Sequence, residues 1–84
     1  MVYELNFTDN FRKQFSKLEK QLQQRIISAL ERIRIRPEYF AIILVGSPYY
    51  KLRIGDYRAI LDIKKDKLLI LLVEVGHRKN VYKN

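Results

Sequence analysis

The stretch of this chain that decides its fold is YKLRIGDYR, residues 50–58. Apolar and charged side chains alternate along it, and a glycine–aspartate pair interrupts the alternation. Strand side chains alternate between the two faces of a sheet, so Lys51 and Arg53 should share the face opposite the apolar residues. A glycine-containing pair between two such runs is typical of a tight hairpin turn. The stretch predicts two antiparallel strands, residues 49–54 and 57–64, with cations on one face.

The first half of the chain predicts a strand followed by two helices. Residues 2–7 are rich in strand-forming side chains, and three candidate helix N-caps follow, beginning at Thr8. Apolar residues then recur every three or four positions, which is typical of an amphipathic helix. One straight helix over residues 9–36 would be about 42 Å long, against about 30 Å for the diameter of a domain of this size. We therefore expect a helical hairpin with its break near residues 17–21.

The last predicted strand, residues 68–75, is apolar on both faces and should lie centrally in the sheet. Residues 38–48 are predicted to form a partly buried connection with room for a short irregular strand. The predicted fold is α+β: an N-terminal strand, a two-helix hairpin and an antiparallel meander, with the helices packed on a mostly antiparallel four-stranded sheet. At 84 residues, we expect one domain over residues 1–84.

The composition indicates a polyanionic partner and excludes several kinds of site. Lys and Arg number 17 against 9 Asp and Glu, which gives a net charge of +8. The absence of cysteine excludes disulfides, thiolate metal sites and cysteine nucleophiles, and a single histidine excludes an all-histidine zinc site. No segment has the form of a signal peptide or a membrane span. We expect a soluble cytoplasmic protein without a metal or another cofactor.

Two groups of residues in the second half of the chain could carry chemistry. Arg53 and Arg58 should be cross-strand neighbours with Lys51 close by, and an anionic ligand would relieve their mutual repulsion. The pattern alone equally fits an ordinary polar strand face. Arg78 and Tyr82 follow the last strand. A tyrosine near fixed cations has a stabilised phenolate, so its pKa falls and it can take up a proton.

The remaining titratable residues give weaker signals. His77 could act as a general base, a phosphate ligand or an ordinary surface histidine. The basic residues of the helical segment are interpreted as a solvated face that adds non-specific attraction to RNA. The carboxylates do not follow the pattern of a two-metal site.

Residues 50–58, followed by Val-Gly-His-Arg at residues 75–78 and Val-Tyr at 81–82, resemble the RelE family of toxin–antitoxin ribonucleases. The resemblance implies a toxin that enters the ribosomal A site, cleaves the mRNA codon there and is held inactive by a RelB-like antitoxin. It implies a metal-free reaction in which the ribose 2′-OH attacks the adjacent phosphate, leaving a 2′,3′-cyclic phosphate and a 5′-hydroxyl. The toxin alone would be monomeric, and the antitoxin-bound form a higher-order complex.

The resemblance also implies roles for individual residues. Tyr82 matches a general base, Arg78 a group that assists the leaving 5′-oxygen, and Lys51 with Arg58 the cations that bind the phosphorane. The residues predicted to bind RNA are Arg53, His77 and Lys79.

One departure from the family pattern, and two rival functions, remain open. Tyr49 stands where well-studied members carry a lysine, which implies reduced or altered cleavage. The first rival is a ParE-like toxin, which shares the fold but inhibits DNA gyrase and does not cut RNA; Arg78 together with Tyr82 argues against it. The second is a non-catalytic RNA-binding module, supported by charge alone.

Overall fold

The computed structural model describes residues 2–80. Its elements are β1 (Glu4–Phe7), α1 (Asp9–Ser16), α2 (Lys20–Arg32), a short α3 (Pro37–Phe40), β2 (Ile42–Ile43), β3 (Tyr50–Ile54), β4 (Tyr57–Lys64), a 3-10 turn (Lys65–Lys67) and β5 (Leu69–His77). The sheet order is β1-β5-β4-β3-β2, with β1 parallel to β5 and every other neighbouring pair antiparallel. The predicted α+β fold with a mostly antiparallel sheet is confirmed.

Within residues 2–80 the sheet has five strands, so the prediction of four is wrong by one. The additional strand is β2, whose Ile42 and Ile43 pair with Lys51 and Tyr50 of β3. Two residues are too few to show an alternating pattern, and both isoleucines are exposed. Strand β5 lies inside the sheet between β1 and β4, as its two apolar faces require, although β4 is the middle strand.

The helical segment breaks between Ser16 and Lys20, within the predicted region. Thr8 caps α1: its hydroxyl oxygen accepts from the amide of Phe11 at 3.1 Å. At the other end of α1, the carbonyl of Phe15 accepts from the amide of Leu18 at 3.1 Å and from the side-chain amide of Gln23 at 2.9 Å. No helix within residues 2–80 combines the length and the apolar character needed to cross a membrane.

The hydrophobic core lies between the helices and one face of the sheet, here called the inner face. Its fully buried side chains include Phe11, Ile26 and Leu30 from the helices, and Ala59, Leu61, Ile70, Leu72 and Val75 from the strands. The opposite, outer face carries a smaller cluster in which Leu44 and Ile60 are buried and Tyr49 and Val73 pack against them. This cluster partly covers the outer face near β5.

A β-bulge fixes the register at the end of the sheet where the cations lie. Ile60 pairs with Glu74 while the next residue of β4 pairs with Leu72, so Val73 is an extra residue on β5. Its carbonyl accepts hydrogen bonds from the Thr8 hydroxyl at 3.1 Å and the Asn10 side-chain amide at 3.2 Å. The first residues of α1 thus supply hydrogen-bond donors to the carbonyl of the bulge. The register shift at the bulge brings Gly76 of β5 beside Arg58 of β4.

Candidate nucleic-acid interface

Three cations of the hairpin form one group on the outer face, here called the cationic cluster: Lys51, Arg53 and Arg58. Arg53 and Arg58 are directly opposite each other in the β3–β4 pairing, so their Cβ atoms should be about 4.5–5.5 Å apart. Lys51 lies two residues before Arg53 on β3 and shares its face. The prediction that these arginines are cross-strand neighbours is confirmed.

The cationic cluster keeps a net positive charge. Within residues 2–80, the salt bridges join other residues, and none involves a member of the cluster. Glu74 lies diagonally across from Arg58 on the outer face, but no salt bridge within residues 2–80 joins the two side chains. In the same part of the chain, no three Asp, Glu or His side chains are grouped closely enough to hold a metal ion.

Arg58 faces no side chain from its pairing partner on β5, because that partner is Gly76. On the other side of the cluster, Lys51 pairs with Ile60, which belongs to the small apolar cluster of the outer face. Tyr49, the residue that replaces a lysine of the RelE pattern, packs in the same apolar cluster and is half-buried. The cations therefore lie beside an aromatic and aliphatic surface rather than beside a fourth charge.

The segment after β5 returns to the hairpin turn. The backbone amide of Arg78 donates to the carbonyl of Asp56 at 2.8 Å, and the Arg78 side chain is exposed. Arg78 thus lies beside the turn that separates Arg53 from Arg58. Tyr82 lies outside the described residues, and its assignment as a general base stays a prediction.

His77 lies on the inner face, away from the cationic cluster. It pairs with Tyr57, and the two rings meet edge to face with centroids 5.4 Å apart. Its Nδ1 accepts from the amide of Lys79 at 3.2 Å, so the neutral imidazole carries its proton on Nε2. Lys79 is exposed. The RNA-binding roles of His77 and Lys79 stay predictions, and a role for His77 would belong to a different surface from that of Lys51 and Arg58.

A second concave surface, missed by the sequence reasoning, lies on the helical side of the sheet. This helical groove has a volume of about 1150 Å³ and runs between α2, the α1–α2 connection and the β3–β4 hairpin. Its lining includes four cations, Lys17, Arg25, Arg32 and Arg53, and one carboxylate, Glu19. The available signal was the seven-residue spacing of Arg25 and Arg32, which places them on one side of a helix.

The chain matches one known family over almost its whole length. The model of the ParE toxin of the type II toxin–antitoxin system parDE matches residues 5–82. The chain belongs to this toxin family. Among curated proteins, none matches the sequence of this toxin.

Solved structures similar to this toxin include RelE proteins. In the RelBE2 toxin–antitoxin complex from Mycobacterium tuberculosis, the similar chain is 20% identical with a TM-score of 0.84, covering 93% of this toxin and 100% of that chain. In the intact Escherichia coli RelBE complex, the similar chain is 26% identical with a TM-score of 0.80, covering 90% of this toxin and 96% of that chain. In the archaeal RelE–RelB complex from Pyrococcus horikoshii OT3, the similar chain is 24% identical with a TM-score of 0.79, covering 96% of this toxin and 100% of that chain. This protein is a toxin of a type II toxin–antitoxin system with a RelE-like fold.

Proposed function

We propose that this toxin is a ribosome-dependent endoribonuclease that cleaves mRNA codons in the A site and so inhibits translation. The observation that carries the proposal is the direct pairing of Arg53 with Arg58, with Lys51 beside them and no salt-bridge partner within residues 2–80. Like charges placed opposite each other destabilise a sheet, and a bound phosphate would offset that cost. The cluster therefore fits a surface shaped for a phosphodiester ligand.

The proposed reaction needs no metal. The ribose 2′-OH attacks the adjacent phosphorus, the bond from phosphorus to the 5′-oxygen breaks, and the products are a 2′,3′-cyclic phosphate and a 5′-hydroxyl. In this proposal the 2′-OH gives its proton to the phenolate of Tyr82, and solvent water gives a proton to the leaving 5′-oxygen. Lys51 and Arg58 stabilise the charge that develops on the phosphorane, where a single fixed donor is typically worth about 10²–10³ in rate. Arg78 assists the leaving oxygen electrostatically, because a guanidinium does not release its proton.

Specific binding of the substrate bases is proposed for the apolar part of the outer face. Tyr49 packs with Leu44 and Ile60 directly beside Lys51. Single-stranded bases stack on aromatic side chains while cations hold the backbone phosphates. The lysine-to-tyrosine departure at Tyr49 would then exchange a phosphate contact for a stacking contact and alter which codons are cut. Arg53 is proposed to bind a phosphate beside the cleaved bond.

A second function, inhibition of DNA gyrase, is favoured by one specific observation. The matched family model is described as the ParE toxin of parDE rather than as a RelE toxin. A gyrase-directed toxin would use the same basic surface for binding and would leave RNA intact.

The two functions are separated by assaying both targets with one preparation of the free toxin. We expect primer extension on mRNA from translating ribosomes to show new stops within A-site codons, and gyrase supercoiling to be unaffected. The new 5′ ends should accept phosphate from polynucleotide kinase without prior phosphatase treatment, because the proposed chemistry leaves 5′-hydroxyls. Gyrase arrest with intact mRNA would overturn the nuclease proposal. Cut mRNA whose new 5′ ends already carry phosphate would overturn the 2′-OH mechanism.

An antitoxin partner is also proposed, with a monomeric free toxin and a higher-order complex when bound. The similar solved structures include RelBE complexes of toxin with antitoxin. Within residues 2–80, β2 is an edge strand whose Ile42 and Ile43 are exposed, next to Tyr39 and Val45, which are 78% and 86% exposed. An exposed apolar edge strand accepts an additional strand from a partner. A cytoplasmic location follows from the proposed ribosomal substrate.

Charging this edge should weaken the antitoxin complex. We expect the double variant Ile42→Lys, Ile43→Lys to lose co-elution with the product of the neighbouring gene in size-exclusion chromatography after co-expression. The matched control is Ile27→Lys, an exposed isoleucine of α2 away from the edge, which should retain the complex. Undiminished co-elution of the double variant would show that the partner does not use β2.

A further inference from the structure

The helical groove is the strongest charged feature outside the cationic cluster. Lys17, Arg25, Arg32 and Arg53 line it against a single carboxylate, Glu19. Within residues 2–80, none of these four cations forms a salt bridge. A groove that collects unpaired cations in a concave surface focuses positive potential and attracts a polyanion.

The polar side chains of α2 are spaced for an extended ligand. Gln21, Arg25, Ser28 and Arg32 all line the groove, at intervals of four, three and four residues, which places them in one row along the helix. Arg25 and Arg32 are separated by about 10.5 Å along the helix axis, at roughly 1.5 Å per residue. That distance matches about three nucleotides of a stacked strand, at roughly 3.4 Å each. The row therefore suits two phosphates of one strand.

Arg25 lies against the turn of the hairpin. Gly55 has a φ of +60°, and a Cβ built on it would lie 3.1 Å from Nη2 of Arg25. The absence of a side chain at Gly55 lets the Arg25 guanidinium pack against the turn backbone. An arginine positioned in this way loses less conformational freedom when it binds a phosphate.

Arg53 connects the groove with the cationic cluster. Its place in β3 puts it opposite Arg58, and it also lines the helical groove. It can serve both because β2 pairs only with Tyr50 and Lys51, which leaves the edge of β3 uncovered at Arg53. The two positive surfaces are thus continuous around the edge of the sheet.

We propose that the helical groove binds the phosphate backbone of single-stranded RNA, as a second contact that continues from the cationic cluster across Arg53. The choice of RNA as ligand rests on the proposed function, but the contact itself is a binding event that needs no cleavage. Arg25 and Arg32 hold phosphates; Ser28 between them, and Gln21 one turn before Arg25, are hydrogen-bonding groups for the ribose. The groove would anchor the strand outside the scissile phosphate.

The test measures the salt dependence of RNA binding with a probe that cannot be cleaved. The probe is a 12-nucleotide 2′-O-methyl RNA with a fluorescent end label, titrated by anisotropy between 0.05 and 1 M salt. Each phosphate contact to a single strand contributes a slope of about 0.7 to the dependence of log K on log salt. We expect Arg25→Ala with Arg32→Ala to lower the slope by about 1.4 and, if affinities converge at 1 M salt, to weaken binding about 25-fold at 0.1 M.

Two matched variants separate the groove from net charge. Lys13→Ala with Lys67→Ala removes the same charge from exposed positions that do not line the groove, and its slope should stay near that of the wild type. Arg25→Lys with Arg32→Lys keeps the charge and should retain the slope. An equal decrease of the slope in the Lys13 and Lys67 variant would overturn the proposal. It would show that the effect of Arg25 and Arg32 comes from net charge and not from their place in the groove.

Two further outcomes distinguish RNA binding in the groove from protein binding there and from the proposed nuclease function. If the Arg25 and Arg32 double alanine variant binds the probe normally but loses co-elution with the neighbouring gene product, the groove belongs to a protein partner and the RNA proposal fails. If the wild type binds the probe through the groove but leaves ribosomal mRNA uncut, the proposed nuclease function fails while the groove contact stands.

Discussion

Replacing Arg58 with glutamine is expected to slow cleavage of ribosome-bound mRNA by about 10²–10³-fold while the protein remains fully folded. Arg58 is the half-buried member of the Arg53–Arg58 pair, and its partner on β5, Gly76, has no side chain. Glutamine keeps two of the three side-chain methylenes and replaces the charged guanidinium with a neutral amide. A loss of this size is expected where a fixed cation stabilises charge that develops in the transition state. The measurement is single-turnover primer extension with toxin in excess over ribosomes.

The same substitution should leave the protein more stable, which separates a functional role from a structural one. Removing one of two like charges that lie directly opposite each other should raise the free energy of unfolding by about 0.2–1 kcal/mol. The gain should shrink in high salt, because screening weakens the repulsion in the wild type. Urea unfolding at 0.05 and 0.5 M salt measures both effects. A residue kept for stability would show the opposite sign.

Lys64→Gln is the matched control for Arg58→Gln. Lys64 lies on the same strand and the same face, six residues away, or about 20 Å at roughly 3.3 Å per residue. It pairs with Asp62 at 3.1 Å, so its loss should cost a little stability and leave cleavage unchanged. If Arg58→Gln cleaves as fast as Lys64→Gln, the cationic cluster is not the site of phosphoryl transfer.

The sequence was sufficient for the fold wherever a periodic pattern ran over several residues. The hairpin alternation predicted β3, β4 and the Arg53–Arg58 pairing, and the helical period with a length argument predicted the break before Lys20. Strand β2 falls within residues 38–48, where the sequence allowed a short irregular strand, but its position was not predictable because two residues carry no period. Its position depends on pairing with β3, which is a tertiary interaction.

The site was harder to predict because a single-residue shift changes which side chains share a face. The bulge at Val73 is invisible in an apolar run, since the extra residue resembles its neighbours. The bulge places Gly76 beside Arg58 and His77 on the inner face. His77 therefore lies on the face opposite the cationic cluster, although it is next to Arg78 in the sequence. The helical groove was missed for a related reason. From the sequence alone, a row of polar side chains on α2 indicates a solvated face. The groove becomes apparent only when the position of the β3–β4 hairpin, which forms its other wall, is known.

Replacing Phe11 with alanine should lower the free energy of unfolding by about 3–5 kcal/mol, which is typical of a buried phenylalanine. Phe11 is 1% exposed, and its ring lies between those of Phe7 at 5.4 Å and Phe15 at 5.9 Å. A domain of this length has a total stability of roughly 4–13 kcal/mol, at about 0.05–0.15 kcal/mol per residue. The variant should therefore be marginally folded, and thermal and urea unfolding measure the loss. Phe40→Ala, at a 40% exposed phenylalanine, should cost far less.

Substitution of Phe11 should also affect the cationic cluster, because α1 forms hydrogen bonds to the bulge that sets the register of β5. The amide of Val75 donates to the side-chain oxygen of Gln14 at 2.8 Å, and Thr8, which caps α1, also donates to the Val73 carbonyl. When Phe11 no longer anchors α1, these bonds open together. We expect Phe11→Leu, which folds more readily than the alanine variant, to show faster hydrogen exchange at Val75 than wild type and slower mRNA cleavage. Faster exchange confined to α1, with Val75 still protected, would mean that the sheet keeps its register without the helix.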